Sequence, residues 1–142
     1  MGFTQSWQVL ALASAVFAAL TAILGKIGVA QINSDLATFI RTLVILLVTA
    51  LLLTARNEWQ RPEGGNWLGW ACLIASGVTT GLSWLCYFRA LQLGPVSQVA
   101  PIDKLSVALV ILVGWLALGE AVTLKTAVGG ALIVAGSLVL AF

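Results

Sequence analysis

The chain contains no histidine, two cysteines, three prolines and only 8% charged residues in a length of 142. Without histidine, the common zinc sites and most general acid–base constellations lack their main side chain. Cys72 and Cys86 fall in one apolar run, roughly 21 Å apart at helical rise, too far for a disulfide. Their spacing matches no metal motif, so they read as small apolar residues of a helix. A water-soluble domain carries about a quarter charged residues, so 8% cannot clothe a soluble surface. Seven basic and five acidic side chains leave +2, and a pI near 8.8 built on so few groups is no footprint for nucleic acid. No catalytic group, metal or cofactor site is expected.

What the chain does contain is apolar sequence. A hydrophobic fraction of 61% and a mean hydropathy of +1.07 define an integral membrane protein. A helical crossing takes roughly 20 apolar residues, and five such segments fit: residues 8–29, 36–55, 67–91, 96–118 and 124–142. They use nearly the whole length, which leaves no room here for a soluble catalytic or nucleotide-binding domain. A barrel needs alternating segments of roughly ten residues, whereas these runs are continuous. The expected fold is therefore all-α, a bundle of five transmembrane helices. No Lys or Arg precedes the first run, which is longer than a signal-peptide core, so it reads as a span. Residues 1–6 match a loose myristoylation pattern that a five-span protein does not need. The polar hinge 31–35 offers Ser34 or Asp35 as a helix cap. Residues 56–66, with Pro62 and Gly64-Gly65, form a loop, and Gly94-Pro95 and Gly119-Glu120 mark two further turns.

Helices in lipid associate through small residues. Ala11, Ala15, Ala18, Ala22 and Gly25 share one face of the first span. Gly77 and Gly81 do so in the third, on a face continued by Trp84 and Phe88, and Ala127, Ala131 and Ala135 in the fifth. Packing within one molecule is the ordinary role of such faces; a subunit interface or sliding surface is the functional one.

The few charges are the informative residues. Ionisable groups inside a span face a cavity or a partner. Arg41 lies roughly 9 Å into the second span, with Asp103 and Lys104 at similar depth in the fourth. Lys26 and Arg89 sit nearer helix ends, where long stems can reach the headgroups. Alternating the spans places all five in the same half of the bilayer, together with Trp84 and Tyr87. Pro101 lies two residues before Asp103 and three before Lys104, and its missing N–H deprives the Ser97 carbonyl of a partner. A loosened helix beside charges is how many transporters build a site. Four cations against Asp103, with Asp35 at the rim, would suit an anionic or zwitterionic solute, less whatever internal pairing cancels. Arg56, Arg61 and Lys125 flank one membrane face, and Lys26 and Arg89, or four with Arg41 and Lys104, the other. Neither orientation wins under the positive-inside rule.

These residues also resemble a known family. The run ALTAILGKIG at 19–28 and ATFIR at 37–41 are similar to the opening of an EamA domain of the drug/metabolite transporter superfamily. The segment SGVTTGLSWLCYFRALQLGPVS at 76–97 resembles that family's third span and following turn. VAPIDKLS at 99–106, LALGE at 116–120, and Gly129 with Gly136 complete the likeness, which covers nearly the whole chain. Usual members carry two such domains in inverted orientation, and this sequence has one. The resemblance implies a single EamA-like domain over 1–142 and export of a small metabolite by alternating access across a bacterial cytoplasmic membrane. It implies no enzymatic activity.

The expected pathway residues are Arg41, Trp84, Tyr87, Arg89, Asp103 and Lys104, with Gly77, Gly81 and Pro101 as hinge or packing positions. The expected partners are the lipid bilayer, a small-molecule solute and a second five-helix unit, as a homodimer, antiparallel if insertion is dual, or a paired homologous subunit. No nucleic acid is expected. The rival reading is a non-transporting membrane subunit that packs against a partner membrane protein.

Overall fold

The computed structural model describes residues 6–60 and 67–142. Residues 1–5 of the loose myristoylation match and the loop residues Arg61, Pro62 and Gly64-Gly65 lie outside that range. Six helices follow one another: α1 (Trp7–Gly28), α2 (Ser34–Arg56), α3 (Trp67–Leu93), α4 (Val96–Asp103), α5 (Ser106–Leu118) and α6 (Leu124–Ala141). No strand occurs among the described residues. Among the described residues, five segments are long and apolar enough to cross a membrane, with α4 and α5 together forming one of them, Val96–Leu118. The protein is an all-helical, multi-pass integral membrane protein.

Local chemistry explains the element ends. Asn33, rather than Ser34 or Asp35, caps α2: its side chain accepts from the N–H groups of Asp35 (2.9 Å) and Leu36 (3.3 Å). Ser34 is instead the first helical residue and is buried. At the other end of α2, Asn57 adopts φ 54°, the left-handed conformation that closes helices and that Asn tolerates. α5 ends at Gly119, whose φ of 69° turns the chain so that the Glu120 N–H returns to the Gly114 carbonyl at 3.1 Å. Thr123 caps α6 by accepting from the N–H of Thr126.

In hydrocarbon every polar group must be satisfied internally. Threonines of α2 and α3 comply within their own helices. Thr38 donates to Ser34, Thr42 to Thr38, Thr54 to Ala50 and Thr80 to Ser76, each bonding a carbonyl four residues back at 2.8–2.9 Å. Most of the large apolar side chains face outward. Leu47, Leu73, Val110 and Leu132 are all more than half exposed, which carries no penalty where the solvent is lipid.

The chain forms two compact units. One comprises residues 1–26 and 93–142, and in it α6 packs on α4 and α5. Gly130 marks the closest approach: a Cβ there would lie 2.9 Å from Ile111 Cδ1. A shallow groove of about 440 Å³ runs alongside, lined by Ala108, Ile111, Ala127, Gly130, Ala131 and Leu138 among others. The alanine face of the fifth span thus forms a wall of this groove. Because Ile111 Cδ1 is the tip of a flexible side chain, Gly130→Ala is expected to be nearly neutral. Gly130→Leu should cost about 1–3 kcal/mol by overpacking, read as a lower melting temperature in detergent.

The second unit comprises Ile27–Gln92. Its buried residues, Val29, Ser34, Thr38, Phe88 and Leu91, come from the α1–α2 hinge, the start of α2 and the end of α3. The opposite ends of α2 and α3 are exposed, and a Cβ at Gly77 would meet nothing within 4 Å. The expected packing glycines therefore have no close neighbour among the described residues.

Candidate functional site

Within Ile27–Gln92 the site is built on one face of α3. Trp84, Phe88 and Gln92 recur every four residues, so they stack along one side of the helix. Across from them, Arg41 projects from α2. Its guanidinium carbon lies 4.1 Å from the centroid of the Trp84 ring and 5.1 Å from that of Phe88. Such a contact contributes about 0.5–2 kcal/mol, more as water is removed. Phe88 is 4% exposed, which makes it the fixed floor of the cluster, and Tyr87 meets it edge-on with centroids 6.3 Å apart. Arg41, Trp84 and Tyr87 are half-buried. Three of the expected pathway residues thus gather around one aromatic floor.

Arg89 is arranged differently. It is exposed and donates to the Gln92 Oε1 at 3.1 Å. Gln92 in turn donates through Nε2 to the carbonyls of Val29 (3.0 Å) and Ile32 (2.9 Å). One amide therefore ties the end of α3 to the α1–α2 hinge, with Arg89 fixing its orientation. The sequence reading left Gln92 out of the site; its signal is a polar residue in register with Trp84 and Phe88. Gln92→Ala breaks all three bonds and should cost about 1–2 kcal/mol at typical net values. The expected result is a lower thermal midpoint in detergent and faster proteolysis at the hinge.

In the other unit, Asp103 and Lys104 pair with each other, Oδ2 to Nζ at 3.1 Å, with both side chains more than a third exposed. They sit at the joint between α4 and α5. Here Lys104 and Leu105 donate to carbonyls three residues back, Pro101 and Ile102, and the Ser106 hydroxyl bonds the Asp103 carbonyl at 2.8 Å. Pro101 lies inside α4, three residues before this tightened turn. Lys26, at the end of α1, donates to the Gly94 carbonyl at 2.8 Å and so joins α1 to the α3–α4 turn. Gly81, like Gly77, has open space where a Cβ would stand. No group of His, Cys, Asp or Glu that could hold a metal occurs among the described residues. Cys72 and Cys86 are free and exposed. The α5–α6 groove contains none of the expected pathway residues.

Five apolar spans, one of them carrying an arginine held against aromatic rings, define a multi-pass membrane protein. The family comparison is specific: residues 5–142 match the EamA-like transporter family, and the chain belongs to it. It is 54% identical over 138 residues to an uncharacterized transporter of the cobO 3′ region from Sinorhizobium sp., covering 97% of this chain and 98% of that protein. It is 33% identical over 98 residues to a riboflavin transporter of Vibrio cholerae serotype O1, covering 69% of this chain but 32% of that longer protein. No solved structure matches.

Proposed function

We propose that this EamA-family transporter is a secondary carrier that exports a small metabolite by alternating access and performs no chemical conversion. Residues 1–142 act as one transport domain, and two such five-span units assemble, as an antiparallel homodimer or with a paired homologous subunit, in a bacterial cytoplasmic membrane. The observation that carries this reading is Arg41, a permanently charged group placed inside an apolar span and held on Trp84 and Phe88. Intramembrane charges of this kind mark solute pathways. In the Ile27–Gln92 unit the pathway residues are Arg41, Trp84, Tyr87 and Arg89. In the other unit they are Asp103 and Lys104, beside a helix joint at which Pro101 permits bending. Gly77 and Gly81 leave an open face on α3 along which a neighbouring helix can slide. The balanced basic residues support insertion in both orientations, and the likeness to a riboflavin transporter supports a small organic solute.

The test is reconstitution. Proteoliposomes of the purified chain are loaded with a metabolite extract and the external fluid is followed by mass spectrometry. At least one metabolite should leave faster than from protein-free vesicles. Flux that appears only when a second membrane protein is added would favour the packing-subunit reading.

A further inference from the structure

The charges of the apolar segments are not equivalent once their partners are compared. Asp103 and Lys104 neutralise one another. Lys26 is bonded to the Gly94 carbonyl, and Arg89 holds Gln92. Arg41 differs, because its contacts are with ring faces. Its guanidinium makes no hydrogen bond or ion pair with any described residue. A guanidinium carries five N–H donors, all in its plane. Contact with the rings of Trp84 and Phe88 forms no hydrogen bond, so the donor-bearing edges have no acceptor among the described residues. Those edges are also open, since no side-chain nitrogen or oxygen among the described residues is both sealed from solvent and without a partner. Arg41 is thus a cation held against aromatic rings, with its donors accessible and unspent.

We infer that Arg41 is the recognition group for an oxyanion, and that the solute is an organic anion whose carboxylate or phosphate lies edge-on to the guanidinium. This inference rests on the transport reading and narrows its substrate class. A planar, delocalised guanidinium matches the two oxygens of such a group in a bidentate pair, which an ammonium cannot do. Phe88 and Trp84 hold the guanidinium in place before the solute arrives, so less side-chain freedom is lost on binding. The apolar part of the solute meets Trp84 and Tyr87, the half-buried aromatic side chains beside Arg41.

The test uses purified, delipidated protein in a neutral detergent and four probes: benzoate, its neutral isostere benzamide, benzylammonium, and phosphatidylglycerol. Thermal stability is titrated against each. Benzoate should bind at least tenfold more tightly than benzamide or benzylammonium, Arg41→Gln should erase that preference, and Arg41→Lys should restore only part of it. The three aromatic probes are compared on the wild-type chain alone as well, so the inference stays open to refutation if a variant folds poorly. Equal responses to benzoate and benzamide would overturn it. So would an Arg41-dependent response to phosphatidylglycerol with none to benzoate, which would assign the guanidinium to lipid. Metabolite flux confined to neutral or cationic solutes would also overturn it while leaving the transport reading intact. Arg41-dependent benzoate binding without any flux would support the oxyanion site and remove the transport reading instead.

Discussion

Arg41→Gln is expected to lower the initial transport rate of the reconstituted protein by about 10–100-fold. A hydrogen bond to a charged group contributes about 1.5–3 kcal/mol, and each 1.4 kcal/mol is tenfold in a binding constant. Glutamine retains polarity but loses the charge, the paired donors and the cationic contact with Trp84 and Phe88. The fold should tolerate the change, because Arg41 anchors no backbone group among the described residues. The cation–π contact it gives up is worth about 0.5–2 kcal/mol. Arg41→Lys separates charge from geometry. It should raise the half-saturating concentration several-fold with a smaller effect on the maximal rate. A glutamine variant that melts like the wild type and transports like it would remove Arg41 from the pathway.

The second large effect is expected at Pro101. Alanine at this position supplies the N–H that proline lacks, which can then bond the Ser97 carbonyl and stiffen α4 next to the joint at Lys104 and Leu105. Alternating access needs a few positions that absorb the change in backbone angles. Pro101→Ala should therefore slow transport about tenfold while leaving probe binding near its wild-type value, the opposite of the Arg41 pattern. The measurement is the ratio of transport rate to probe affinity in one preparation. Loss of binding in step with transport would show that Pro101 shapes the site rather than the movement.

The sequence made the membrane architecture legible because apolar run length and hydrocarbon thickness are matched by physics that needs no tertiary information. The turns at Gly94-Pro95 and Gly119-Glu120 were equally readable, since glycine and proline act on the backbone locally. The cap of α2 was less so. Asn33, Ser34 and Asp35 are three consecutive residues of nearly equal capping strength, and only the backbone path selects Asn33. Partners were the least legible. Arg41 and Trp84 stood out as candidates, but no spacing rule joins residues of different spans. The sequence leaves open which cation Asp103 meets, and the structure pairs it with the adjacent Lys104. Gly77 and Gly81 carry the pattern of a packing face, but the pattern does not say whether anything covers it, and no described residue approaches it closely. Gln92 went unnoticed because one amide near a helix end is unremarkable until the carbonyls of Val29 and Ile32 are found beside it.

The claim on which the rest depends is that the chain is a carrier that alternates around Arg41. Counterflow tests it most directly. Proteoliposomes are loaded with an excess of an unlabelled solute found in the metabolite screen, and a trace of the same solute, radiolabelled, is added outside. A carrier that returns loaded should accumulate label transiently above its final level, and Arg41→Gln should abolish that overshoot. Label that rises only to its equilibrium level, or an overshoot of full size in the Arg41→Gln protein, would contradict the account.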